Sequence, residues 1–358
     1  MIPSKAVVLA QPQSMPPQGS LARLRRPSLL PTPLLPVANR ALLSHALGWL
    51  AEAGVDEAVV VVPEELAEQA RGVAGDGEPA LKLSWLEQLC GESLRETLDD
   101  LTGFLDGQPF VLHLADSLAG QSLRSLPLCP RGPQAESMLM VEESNRVELG
   151  EVLQLRGASG GDPPCHRKFN RDAAGVAVMS ADALASARDV DLPWERLLEA
   201  LADRIRDRGG HVRTHGVSDW WRFRGGTDGL LEGNRFALGQ VRPDFEDAQL
   251  VDSDIQGAVV AHASARIESS VVRGPAIIGP EAHLRDAYVG PYTAIGERVL
   301  VEGAEIEHSV VLADASIRHI GGRLEASVVG RNARVFRDFR LPRALRVQIG
   351  EDASVSLG

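Results

Sequence analysis

Residues 260–306 read VAHASARIESSVVRGPAIIGPEAHLRDAYVGPYTAIGERVLVEGAEI. Val260, Val272, Ile278 and Leu284, then Val289, Ile295 and Val301, recur on a six-residue beat, with one residue dropped between Leu284 and Val289. One inward aliphatic per face, with small residues or glycine at the corners, is what a triangular parallel β-helix requires, because its corners bend too sharply for bulky side chains. The beat predicts a stacking and assembly domain over 248–358. His262, His283, His308 and His319 fall within it without a loop excursion, which argues against acyl transfer there. The closing LPRALRVQIGEDASVSLG alternates like a strand or hairpin capping the solenoid.

Upstream, over 1–240, the texture is different. Apolar runs (KAVVLA, DEAVVVVP, ALKLSWL, PFVLHLAD, ESMLMVE, GVAVMS, HVRTHGV) alternate with amphipathic periods (ALLSHALGWLAEAGV, EELAEQARGV, SLRETLDDLTGFL, WERLLEALADRIRDRG). This order predicts an α/β, doubly wound, Rossmann-like domain whose ligands sit at the carboxyl ends of its strands, after VVLA and VLHLAD. The loop-like PRGPQAESM and LRGASGGDPPCHRKFNRD border an expected substrate-facing lobe.

Composition narrows the class. With 44% hydrophobic residues over 358 positions the chain can bury two cores. A formal charge of −12 disfavours nucleic acid and anionic membrane, so a phosphate ligand needs a local arginine cluster. Lysine occurs only at Lys5, Lys82 and Lys168. The cysteines Cys90, Cys129 and Cys165 are too scattered for a disulfide framework or zinc site, and no secretory leader or membrane span is evident, so a reducing cytoplasm is expected.

Three stretches, PTPLLPVANRALLSHALGWLAEAGVDEAVVVV (31–62), WWRFRGGTDGLLEGNRFAL (220–238) and the hexapeptide run, carry a resemblance. The chain resembles sugar-1-phosphate nucleotidyltransferases, specifically long-type glucose-1-phosphate thymidylyltransferases, in which a GT-A-like nucleotidyltransferase domain precedes a left-handed β-helix. The resemblance implies attack by a sugar phosphate on the α-phosphorus of a nucleoside triphosphate, with Mg²⁺ on two carboxylates offsetting the developing charge. It implies Asp116, in Leu114-Ala115-Asp116, as a metal ligand, although an Asp there equally serves as a turn or N-cap residue. Gln88 would read the nucleobase or be a surface residue. Arg23 and Arg25 would touch triphosphate or form a solvated basic turn.

Other motif positions depart from the family. Gln11 and Pro12 replace the phosphate-loop glycines, and proline offers no N–H to a phosphate. Thr32 replaces the phosphate lysine. Phe223 stands at the second metal aspartate, and Arg156-Gly157-Ala158-Ser159 replaces the sugar-binding E-K-P motif. Joint loss of charge-stabilising groups should remove most of the rate. The expectation is a catalytically impaired member, a structural or regulatory subunit or sugar-nucleotide binder, as a homo-oligomer or with an active homologue. The alternative is an active thymidylyl- or uridylyltransferase whose arginines, Asp116 and Asp219 or Asp228 rebuild a Mg²⁺ site.

Overall fold

A computed structural model describes residues 2–11, 30–75, 81–89, 94–120, 122–125, 137–142, 173–180, 197–209, 212–217 and 219–337. Arg23, Arg25, Arg156 to Ser159 and the closing 338–358 lie outside the described residues. In chain order the elements are β1 (Lys5–Leu9), β2 (Pro36–Val37), β3 (Arg40–Ala41), α1 (Leu42–Ala53), β4 (Glu57–Pro63), α2 (Glu64–Gly75), β5 (Lys82–Gln88), α3 (Leu94–Leu105), β6 (Phe110–Leu114), β7 (Ser117–Ala119), β8 (Ser137–Glu142), β9 (Ala173–Met179), α4 (Leu197–Asp207), β10 (Val212–Val217), β11 (Trp220–Arg222) and α5 (Gly226–Leu238). Short strands β12 (Gln249–Val251) to β27 (Arg334–Phe336) follow. They form two compact units: Met1–Ser14 with Leu43–Arg222, and Met15–Leu42 with Phe223–Gly358.

The first unit is built on a seven-stranded sheet of order β10-β8-β9-β6-β1-β4-β5. Strand β1 pairs in parallel with β4 and β6, so Leu9 lies level with Val61 and Leu114, while β9 runs antiparallel between β6 and β8. Central strands covered on both faces read as unbroken apolar runs, which is why KAVVL, FVLHL and AAGVAVM carry no alternation. Helices α3 and α4 lay Leu101, Leu105, Leu197, Leu201 and Ile205 on the sheet.

One polar ring is buried within this unit. His113 on β6 is 1% exposed, its centroid 5.5 Å from Trp49 and 6.4 Å from Trp220, with Nδ1 2.8 Å from the Leu114 carbonyl. Burial drives its pKa from 6.5 down to about 4, against a smaller opposing pull from that carbonyl. The folded state therefore holds His113 neutral where the unfolded chain protonates it. Its stabilising share is full above pH 6.5 and is lost as pH falls towards about 4. Thermal melts of His113→Phe and wild type should show the mutant losing less stability over that window; parallel profiles would contradict this assignment.

The second unit contains a left-handed parallel β-helix with sheets β12-β15-β18-β21-β24-β27, β13-β16-β19-β22-β25 and β14-β17-β20-β23-β26. Val272, Ile278, Leu284, Val289, Ile295 and Val301 point inward, all at most 1% exposed, as the beat predicts. Val260 does not: it is half-buried between inward Val259 and Ala261, because its face presents the first and third strand positions to the core. The dropped residue also recurs. Ile267 pairs with Leu284 and Leu284 with Val301, giving a 17-residue coil with one five-residue step each time. Asp252, Ser269, Asp286 and Gly303 close that shortened corner with positive φ of 47, 46, 48 and 55°. Short polar residues and glycine tolerate this conformation, so the corner chemistry follows from the missing residue.

Candidate functional site

In the first unit, Gln11, Gln88 and Asp116 lie at the carboxyl ends of β1, β5 and β6, where a doubly wound sheet opens its crevice. The turn after β6 is fixed by the Ala115 amide donating to the Leu9 carbonyl at 3.0 Å. The chain then reverses into β7, which pairs antiparallel with β11 so that Ser117 faces Arg222. That register decides the fate of Asp116. Arg222 Nε donates to Asp116 Oδ2 at 3.0 Å, and its Nη1 donates to the Ala173 carbonyl at 3.4 Å. Both side chains of the ion pair are only 12% exposed.

Gly175 on β9, at φ 90°, packs against the same turn. A Cβ there would lie 2.4 Å from Ser117 Oγ and 3.5 Å from Asp116 Oδ1, so a side chain has no room and the turn approaches bare backbone. Ser117 donates to the Leu114 carbonyl at 3.2 Å. The acid is thus packed under β9, with Oδ2 engaged by the guanidinium and Oδ1 buried.

The base-reading candidate is also engaged. Gln11 Nε2 donates to Gln88 Oε1 at 3.0 Å, so the residue standing in a glycine position of the expected phosphate loop spans to Gln88. Sequence reasoning singled out Asp116 and Gln88 and missed Arg222 and the contribution of Gln11. The visible signal was the replacement of glycine by a long amide one residue past β1.

Two motif positions fall in the second unit. Thr32 opens a 3-10 turn, Thr32–Leu34, and is 5% exposed, so the residue in place of the phosphate lysine is buried. Phe223 is likewise 5% exposed, its ring beside Gly229 of α5. Asp228 is exposed in the first turn of α5, where an acid favours the helix dipole. Asp219 lies against Gly120, where a Cβ would meet its carboxylate.

These residues do not fit a Mg²⁺ ion. Asp116 is paired with a cation, the position of the second carboxylate is an apolar ring, and no group of three or more His, Cys, Asp or Glu able to hold a metal occurs among the described residues.

No family model matches the chain. It is 26% identical over 332 residues to a glucose-1-phosphate thymidylyltransferase of Streptomyces antibioticus, covering 90% of this chain and 93% of that protein. Its identity to a glucose-1-phosphate thymidylyltransferase of Streptomyces griseus is 28% over 340 residues, covering 90% and 93%. It is 28% identical over 345 residues to the low-salt glycan biosynthesis nucleotidyltransferase Agl11 of Haloferax volcanii, covering 91% and 94%. That likeness covers about nine tenths of the chain and supports a sugar-1-phosphate nucleotidyltransferase family.

Proposed function

We propose that this chain is a nucleotidyltransferase-like protein that has given up metal-assisted transfer and serves as a structural or regulatory subunit or sugar-nucleotide binder. The observation that carries this reading is the Asp116–Arg222 ion pair: a guanidinium engages one oxygen, Oδ2, of the carboxylate that the family's chemistry gives to Mg²⁺. Displacing it would leave two nearly buried ions to be re-solvated or re-paired, a cost a single remaining carboxylate is poorly placed to offset. Buried Phe223 and Thr32 support the same reading, since neither position presents a charge. The β-helix would then act as the assembly domain, with a second copy or an active homologue as partner. No helix among the described residues is long and apolar enough to cross a membrane.

The second reading is an active thymidylyl- or uridylyltransferase. The whole-length likeness to the named thymidylyltransferases, and the retention of Gln88 and Asp116 at crevice strand ends, favour it. One assay separates the two: purified protein, glucose-1-phosphate, each nucleoside triphosphate in turn and Mg²⁺, with released pyrophosphate measured. The expected result is no release above background. Turnover of about 1 s⁻¹ or more, ordinary for an enzyme, would sink the first reading.

A further inference from the structure

The strongest unassigned feature lies on the β-helix, on the face formed by β12, β15, β18, β21, β24 and β27. Along most of this face outward carboxylates and cations offset one another from coil to coil. Glu268 pairs with Arg266 and with His283 Nε2 at 3.1 Å, and Glu302 pairs with Arg285. Towards β27 the alternation stops. Arg318 and His319 lie 3.9 and 4.0 Å from the already paired Glu302, and the next coil supplies Arg334, Arg337 and an aromatic ring, Phe336.

These five residues, with Ser316 and Asp314, line a cleft of about 570 Å³. Asp314 is the carboxylate of the lining, and Arg298 holds it in a two-pronged pair at 2.7 and 3.1 Å. Three guanidiniums, those of Arg318, Arg334 and Arg337, thus line the cleft on a chain of net charge −12, where an anion meets repulsion over most of the surface. Phe336 is 62% exposed at its rim.

We propose that this cleft is a binding site for a nucleoside di- or triphosphate, separate from the strand-end crevice of the first unit. Guanidinium groups match phosphate oxygens in planar, two-point geometry, and several converging arginines suit a polyphosphate better than a single carboxylate. The exposed ring adds a stacking platform for a nucleobase, which an inorganic anion would not need. A volume of this size accommodates a small molecule, whereas the acidic balance of the chain disfavours a nucleic acid. The proposal does not rest on the reading of Asp116.

The test is calorimetric titration of the full chain with dTTP and, separately, inorganic tripolyphosphate. Both should bind saturably and more weakly as salt rises. Arg318→Gln with Arg334→Gln should weaken both by about tenfold or more. Phe336→Ala should weaken dTTP about tenfold and leave tripolyphosphate unchanged. Absence of saturable binding, or dTTP binding that survives the arginine double variant, would each overturn the proposal, and an unchanged dTTP affinity in Phe336→Ala would overturn the nucleotide class. All substituted cleft positions are on the β-helix surface, and an unchanged melting profile confirms that the fold is kept.

Discussion

Arg222→Ala should destabilise the protein by about 3 kcal/mol in urea unfolding, well beyond the cost of losing an exposed salt bridge. The physical reason is asymmetry. Asp116 and Arg222 are each only 12% exposed in their side chains, so removing the guanidinium leaves a carboxylate with little water to replace it. It also frees the Ala173 carbonyl from Arg222 Nη1. Asp116→Ala leaves the opposite charge stranded and should cost a similar amount. The double variant, with neither ion, should recover much of the loss, giving a coupling of about 2 kcal/mol in the double-mutant cycle. A single-variant cost under about 0.5 kcal/mol would mean that the pair behaves as a surface contact, and Asp116 would again be available to a metal. The cycle therefore probes function as well as stability: the more tightly the pair is coupled, the less readily Mg²⁺ displaces Arg222.

That pair also marks where sequence reading stops. Asp116 was legible because it ends an apolar run, and strand ends are where sites form in this architecture. Its partner is 106 positions away, brought in by a three-residue antiparallel pairing of β7 with β11 that no periodicity announces. Gln11 and Gln88, 77 positions apart, meet for the same kind of reason. Local periodicities survive in sequence, so helices, strands and the inward residues of the β-helix could be read directly. Even there the beat misleads: Val260 is half-buried, and an imperfect hexapeptide run does not reveal that the five-residue step after Leu284 has counterparts after Ile267 and Val301. The arginine cluster suffered a subtler loss. Arg318 and Arg334 become neighbours only when coil is stacked on coil, with Ser316 level with Arg334 and Arg318 level with Phe336.

Asn234→Leu should cost about 3 kcal/mol, despite similar volume and a more apolar side chain. Asn234 on α5 is 0% exposed within the second unit, where Oδ1 accepts from the Ala38 amide at 3.0 Å and Nδ2 donates to the Tyr292 carbonyl at 3.0 Å. Ala38 and Asn39 occupy a two-residue hairpin turn between β2 and β3 with φ of 45 and 60°, a conformation alanine adopts reluctantly. The side chain of Asn39 donates to the Ile295 carbonyl at 2.7 Å, so the turn is tied both to α5 and to the β-helix. Leucine would remove both of Asn234's side-chain hydrogen bonds and expose the strained turn to slippage. Asn234→Asp discriminates the cause: it retains an acceptor for Ala38 but turns an oxygen towards the Tyr292 carbonyl and buries a charge. Such a carboxyl has its folded pKa raised, so its penalty should shrink as the pH falls and the protonated acid can donate to Tyr292. Equal losses for both variants at every pH would place the effect in packing alone, whereas recovery of Asn234→Asp in acid would assign it to the two hydrogen bonds.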